Sequence, residues 1–418
     1  MIRLFINGLA ASAGAGLTYL RNVIPHLARR PDSQATVLLN ADLRGEFAEF
    51  SNISYAEASP SGGVVGRFVF EQTKLRDLVR RSGAQVLVST GNFALRDSPV
   101  PQILLSGNSL YLSADFYRDV RKRRDYMLWG DTLIKGWFAR RSVRWADVTV
   151  APSKAFAEDL SKWTGKNVLS VYHGFDRNLF TSDSTPLPDS MQNQLQESAD
   201  ALKLLFVSHY NYYRNFETLI RALVILRERL PGKKVKLILT CHLSSSKNPG
   251  SYRAETAASL MSILGVRDNI VELGSVPYHL LHHVYRACDI YVSPAYTETF
   301  AHPLVEAMSS GLPVVASDLP VHREICRDAA IYFPRFSPDA LAERVVQVHQ
   351  SPGLAETLSQ NGLIRAQDFS WDTHVERLLA LAQELVRANA DHGTKIETKH
   401  RDEDREAVKR SESNGSDR

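Results

Sequence analysis

The sequence has 418 residues, more than one hydrophobic core usually serves, so two domains are expected. Its 44% hydrophobic and 23% charged residues are ordinary for a soluble globular protein, and a formal charge of +4 is slight, so any basic character must be local. The cysteines Cys241, Cys288 and Cys326 stand far apart, which excludes zinc-ligand spacing and a disulfide framework and suits a reducing cytoplasm. No apolar run reaches the roughly 20 residues that a membrane span needs.

In chain order, the opening MIRLFINGLAASAGAGL carries an Ala-Ser-Ala that mimics a signal-peptide cleavage site. Asn7 and Gly8 interrupt its apolar run and one Arg precedes it, so a first strand entering a Gly-rich loop is the better reading. LTYLRNVIPHLARR then repeats apolar residues at helical spacing. Gly14 and Gly16 in the loop would let backbone N–H groups approach a phosphate or sugar at the helix start, although a plain tight turn explains them too. Strands are predicted at ATVLLN, AQVLVST and PQILLSG, and their alternation with helix-like segments predicts a parallel sheet with crossover helices.

Between Arg118 and Arg144 nine Lys and Arg residues stand against Asp119, Asp125 and Asp131, interleaved with Tyr117, Tyr126, Trp129, Trp137, Phe138 and Trp145. This mix suits an anionic membrane surface or an anionic acceptor, and equally a solvated helix face over core aromatics. No nucleic-acid recognition motif accompanies it. ADVTVAPSKAFAEDL reads as strand, turn and helix with Ser153 as N-cap. The polar stretch 181–200, with two prolines and no periodicity, reads as linker or surface loop.

The second half opens with LKLLFVSHYNYYRNFETLIRALVIL, a strand, a loop and a helix. KVKLILT is the next strand, and NIVELGSVPYHLLHHVYRACDIYVSP the next strand–helix–strand. The pair His282-His283 invites a metal reading, but adjacent helical residues face apart, and a solvated helix face accounts for them. FSWDTHVERLLALAQEL is an amphipathic helix. From about Val386 the chain is charged, nearly free of large apolar residues, and predicted to be disordered.

The stretch Tyr296 to Asp318, YTETFAHPLVEAMSSGLPVVASD, carries the chemistry. Glu298 and Glu306 lie eight residues apart between two short apolar runs that read as buried strands. PLVEAMSSG between them reads as a helix, with Pro303 near its start and Gly311 just past its end. Glu298 then falls on the loop after a strand and Glu306 in the first turns of the helix, at the carboxyl end of a parallel sheet where ligands bind. The backbone N–H groups of Phe300, Ala301 and His302 could hold an anion there. A carboxylate accepts from two neighbouring hydroxyls at once, which suits a sugar or a ribose.

This segment resembles the donor-site signature of the retaining glycosyltransferases of family 4, Glu-x7-Glu followed by a small-residue helix, Gly-x-Pro-Val and a strand. The likeness extends in order over most of the chain. It includes the Gly-rich loop with Gly16, VYHGFD (173–176 matching the family's "HG-x-D") and the SVPY loop. The implied fold is α/β: two Rossmann-like domains facing across a cleft, with a C-terminal helix crossing back to the first. The implied boundaries are 1–180 for the acceptor side, 181–200 for the linker, 201–368 for donor binding, 369–385 for the crossing helix and 386–418 for the tail.

The resemblance also implies roles. Glu298 binds hydroxyls of the donor sugar, Glu306 binds the ribose, and Arg214 stands where the family has the Lys of its diphosphate clamp. Ser208-His209 occupies the family's Gly-Arg position, and His209 departs from it, since a neutral imidazole offers one donor and no permanent charge. Asn108, after ILLSG, falls near the family's acceptor-side residue.

The partners so implied are a nucleotide-sugar donor and a glycan or lipid-linked acceptor; the basic stretch 118–144 itself leaves an anionic membrane surface open beside a solvated face, and no nucleic acid is expected. The location implied is the cytoplasm or the inner face of the membrane. No cofactor and no metal are expected: the only Asp-x-Asp triplet is Asp402-Glu403-Asp404 in the tail. An epimerase or phosphorylase on the same architecture, or a non-catalytic nucleotide-sugar-binding protein, are the competing readings.

Overall fold

The computed structural model describes residues 1–11, 14–244, 246 and 252–390. The expected Asp402-Glu403-Asp404 triplet and most of the expected tail lie outside these. The strands of the first sheet are β1 (Ile2–Asn7), β2 (Ser33–Asn40), β3 (Ile53–Ala58), β4 (Val86–Ser89), β5 (Gln102–Leu105), β6 (Val148–Ala151) and β7 (Leu169–Ser170). They are ordered β3-β2-β1-β4-β5-β6-β7.

The second sheet contains β8 (Leu202–Phe206), β9 (Val235–Leu239), β10 (Ile270–Glu272), β11 (Ile290–Ser293), β12 (Val314–Ser317) and β13 (Ala330–Phe333), ordered β10-β9-β8-β11-β12-β13. Every pairing in it is parallel. Each sheet starts in its middle, builds outward to one side, then returns to build the other. The reversal falls at β1/β4 in the first sheet and at β8/β11 in the second, and each is a topological switch point. β11 and β12 are buried at every residue, as a parallel sheet covered on both faces requires.

The chain forms two compact units: Met1–Ser106 with Arg141–Thr149 and the described residues from Val375, and Gly107–Arg140 with Val150–His374. In the second, Phe206, Leu237, Val292 and Phe333 of the sheet and Phe216, Ile220 and Leu223 of the helix Phe216–Arg229 share one apolar core.

Three local expectations change, and one strand was not anticipated. The helix after β1 starts at Gly14, so Gly16 lies in its first turn and not in the loop. A Cβ on Gly16 would come within 3.2 Å of the Ala11 Cα, so close packing of loop on helix explains this glycine. ISYAEA forms the edge strand β3; paired on one side only and largely solvated, it lacks the apolar run that marks a buried strand.

The 181–200 stretch contains the helix Asp189–Gln196, preceded by Pro188 and anchored by buried Leu187 and Leu195. One Leu in two turns is too sparse to show as periodicity. Residues 371–390 are helical, so order continues past Val386.

Candidate functional site

β8 and β11 are neighbours, and the loops leaving their carboxyl ends bring the predicted residues together. After β8 the chain passes Ser208 and His209 into a short 3-10 turn, Tyr212–Arg214, and then Asn215 in the left-handed region (φ 56°). Asn215 is a residue that tolerates this conformation. Its amide donates to the Pro294 carbonyl at 3.0 Å and its Oδ1 accepts from Thr218 Oγ1 at 2.9 Å. The Tyr296 N–H donates to the Tyr213 carbonyl at 3.0 Å. The two loops are thus tied backbone to backbone before any charged group is considered.

On this frame the Arg214 guanidinium pairs with the Glu298 carboxylate. Both side chains are largely buried, and the Arg214 Nε is buried without a partner. The imidazoles nearby are neutral. Burial, then the Arg214 charge and His374, hold His302 down at about 4. Partial burial and Arg214 also lower His209 from its ordinary value. Arg214 therefore supplies the permanent positive charge in this group, and its free donors are the natural place for anionic oxygens.

The loop that carries Glu298 is fastened at several points. Tyr296 donates its hydroxyl to Asp119 Oδ2 at 3.0 Å, Ser153 Oγ donates to the Thr299 carbonyl at 2.6 Å, and Ser317 Oγ donates to the Ala295 carbonyl. Asp119 in turn pairs with Arg123 at 2.9 Å, and Arg123 with Glu217 at 2.8 Å. Ser153 also caps its own helix, Lys154–Thr164, by accepting from the Phe156 N–H, as expected.

Ala301 then turns the chain into the helix His302–Ser309 with φ 64° and ψ 63°, a left-handed conformation that costs a residue with a Cβ about 1–2 kcal/mol. Phe300 is fully buried beneath it, against Phe369, Tyr172 and His173. His173 of the HG motif also lies 5.1 Å, ring to ring, from His302 and 5.6 Å from Trp371. Gly174 has its reason here: a Cβ would stand 2.1 Å from the Trp371 backbone nitrogen.

Glu306 lies within the helix, 5% exposed. Its Oε2 accepts from the Tyr285 hydroxyl at 2.8 Å, and burial outweighs that bond and raises its carboxyl to about 7.

Two sequence-predicted residues have other local duties. Asn108 Oδ1 accepts from the Leu110 N–H at 3.0 Å and caps the turn Ser109–Tyr111. His282 is buried, with Nδ1 against the His279 carbonyl at 3.1 Å and its ring 3.9 Å from that of His283, which overturns the expected solvated face. Among the described residues no group of three or more His, Cys, Asp or Glu is placed to hold a metal ion.

Sequence reasoning missed Tyr285, Asp119 and the Ser153–Thr299 tether. A tyrosine in a short helix and a helix N-cap carry no signal of distant partners.

Residues 189–365, which carry Arg214, Glu298 and Glu306, match the family described as glycosyl transferases group 1. The chain is 30% identical over 215 residues to the D-inositol 3-phosphate glycosyltransferase of Actinosynnema mirum, covering 51% of each. It spans about half the length of the curated relatives it matches first. Among solved structures, the sucrose-phosphate synthase of Thermosynechococcus elongatus superposes with a TM-score of 0.71 at 18% identity, covering 93% of this chain and 100% of that one. Anabaena HepE in complex with UDP-glucose superposes with a TM-score of 0.68 at 17% identity, covering 92% and 100%. These likenesses establish the two-sheet α/β fold called GT-B.

Proposed function

We propose that the protein is a retaining, metal-independent glycosyltransferase. It moves a sugar from a nucleotide-sugar donor to a glycan or lipid-linked acceptor in surface polysaccharide or glycolipid synthesis. The observation that carries this reading is the pairing of Arg214 with Glu298 at the β8/β11 switch point, with Glu306 on the helix that follows the Glu298 loop. On this reading 201–368 binds the donor and 1–180 serves the acceptor.

Breaking the anomeric C–O bond builds positive charge on the sugar ring and negative charge on the departing diphosphate. Arg214, a fixed and partly desolvated cation, stabilises the leaving group, and the N–H groups of Phe300 to His302 add to it. Glu298 accepts from sugar hydroxyls while aligning Arg214, and Glu306 accepts from the ribose. Neutral His209 contributes a single hydrogen bond. Attack from the face the diphosphate leaves, with a phosphate oxygen taking the acceptor's proton, retains configuration without a protein nucleophile. The group 1 match and the likeness to a UDP-glucose complex support the donor class.

An exposed apolar stripe supports an acceptor at an anionic membrane surface. On the helix Tyr126–Trp145, the residues Tyr126, Met127, Leu133, Ile134 and Trp137 share one face, and all are exposed, Met127 at 88% and Ile134 at 62%. Thr132, Gly136 and Ala139 on the opposite side are buried. Exposed Arg140 lies beside Leu133 on the same face and exposed Arg121, Lys122 and Arg124 precede the helix in the chain, while Asp131 at the edge of the stripe is bound by Lys135 at 2.6 Å. An apolar stripe accompanied by such cations suits the interface of an anionic bilayer.

The deciding experiment incubates the protein with a panel of radiolabelled nucleotide sugars, with and without lipid extract and with and without EDTA. Transfer of label to an acceptor, surviving EDTA, is expected. Binding without transfer, or interconversion of the free nucleotide sugar, would sink the reading.

A further inference from the structure

The surroundings of Glu306 are unusual for a buried acid. Its helix carries it into a pocket of tyrosines and brings it no cation. Tyr285, from the helix Leu281–Arg286, donates its hydroxyl to Glu306 Oε2 at 2.8 Å and approaches the Pro303 carbonyl at 3.3 Å. Burial raises the hydroxyls of Tyr278, in the turn before that helix, and of Tyr291, on β11, and the Glu306 charge adds to both, while the Arg214 charge opposes it at Tyr291. Tyr285, Tyr278 and Tyr291 are thus the tyrosines coupled to the carboxylate; Arg214 reaches the same Tyr291, and His302 stands one turn earlier on the Glu306 helix, neutral through burial. Among the described residues no Lys, Arg or His is ion-paired with it.

Tyr285 is itself fully buried, its ring stacked on Tyr291 at 5.9 Å and edge-on to Phe180 at 5.9 Å. The ring is held by packing, and of the hydroxyl's two acceptors the carboxylate, at 2.8 Å, is nearer than the Pro303 carbonyl, at 3.3 Å.

We propose that Tyr285 is the positioning residue of the donor site: its hydroxyl fixes one oxygen of Glu306 and favours the ionised carboxylate, so that ribose capture switches on as Glu306 loses its proton. This rests on the reading of Glu306 as the ribose ligand. A carboxylate accepts from both hydroxyls of a ribose, whereas the protonated acid has a donor where one acceptor was needed. With no cation ion-paired to it among the described residues, the Tyr285 hydroxyl is the hydrogen bond that favours the charged form against burial. The Glu306 carboxyl sits near 7 even so, and donor binding therefore changes within the physiological range.

The test is calorimetric titration of the full chain with UDP, GDP and their 2′-deoxy counterparts between pH 5.5 and 8.5, for wild type, Tyr285→Phe and Glu306→Gln. Wild type is expected to bind the better ribonucleotide more tightly as pH rises, with an inflection near neutrality. Tyr285→Phe should bind about tenfold more weakly at pH 7, the loss of one hydrogen bond to a charged group, and its inflection should move to higher pH. The gap between the two proteins should close with the deoxynucleotide.

A wild-type profile flat across this range overturns the proposal whatever the variants do. So does a Tyr285→Phe profile that coincides with wild type while Glu306→Gln binds weakly; the Glu306 reading then survives without Tyr285. If Glu306→Gln binds as wild type does, or no nucleotide binds wild type, the donor-site reading itself fails.

Discussion

Arg214 and Glu298, 84 positions apart in sequence, form an ion pair that is buried on the Glu298 side and nearly so on the Arg214 side. The pair joins a residue assigned to the diphosphate to one assigned to the sugar. Its two halves can be separated by choice of ligand. Glu298→Gln keeps the shape but loses the charged acceptor, so binding of a sugar nucleotide should weaken by about ten- to hundredfold, or roughly 1.5–3 kcal/mol. Binding of the bare nucleoside diphosphate should change far less. Calorimetry with both ligands checks this, and equal losses for the two would mean that Glu298 acts only through Arg214.

Arg214 faces charge that grows as the bond breaks, so its loss should appear in turnover before stability. Arg214→Ala is expected to lose on the order of a hundredfold or more in rate. Arg214→Lys keeps the charge but not the forked donors and should fall between. Steady-state rates on the best donor measure this; a variant that changes KM alone would move Arg214 from the leaving group to ground-state binding.

Glu306 makes stability depend on pH in a defined direction. Its carboxyl is raised from the ordinary 4.5 to about 7, so the folded protein holds this proton more tightly than the unfolded chain. The stability it contributes is present below about 4.5 and is lost as pH rises through 7, on the order of 3 kcal/mol in all. Glu306→Gln cannot ionise. Ligand-free melts should therefore show the variant gaining on wild type between pH 5 and pH 8. A constant difference across that window would mean that the site is wetter than its burial implies.

Ala301 sits in a conformation that its Cβ opposes. Ala301→Gly should relieve about 1–2 kcal/mol of strain and give back about 0.4–1 kcal/mol through the freer unfolded chain, a net gain of up to roughly 1.6 kcal/mol. Ala301→Val should destabilise. Urea unfolding of the three proteins checks the order Gly, Ala, Val.

These sites show what a sequence can and cannot disclose. The strand–loop–helix around Glu298 and Glu306 was legible because Pro303 and Gly311 punctuate it and the flanking strands are continuous apolar runs. The helix start at Gly14 was not, because glycines read as loop wherever close packing against Ala11 is invisible. The tethers Tyr296–Asp119 and Ser153–Thr299 join residues 177 and 146 positions apart, and no local pattern encodes such a meeting. The basic segment was ambiguous for a different reason. The helix Tyr126–Trp145 is apolar on both faces, so periodicity could not tell which face the core would take.

That segment yields the last prediction. Arg123 is not part of its surface: it lies between Asp119 and Glu217 with its guanidinium over the Tyr212 ring, so changing it would disturb the fold. Arg121, Lys122 and Arg124 are exposed, and each near an anionic surface contributes about 1 kcal/mol. The apolar stripe adds insertion that salt does not screen. Two variants separate these parts, one with Arg121, Lys122 and Arg124 changed to Ser and one with Met127, Ile134 and Trp137 changed to Ser. Co-sedimentation with anionic vesicles should fall for both. The wild type should lose binding as salt shortens the Debye length from about 10 Å at 0.1 M, while the charge variant should keep a weak, salt-insensitive remainder. Neutral vesicles should retain little of either protein. Equal sedimentation of all three proteins with both lipids, or none with either, would leave the stripe without a membrane role, and concentration-dependent self-association abolished by the Met127, Ile134 and Trp137 changes would assign it to a second copy of the chain.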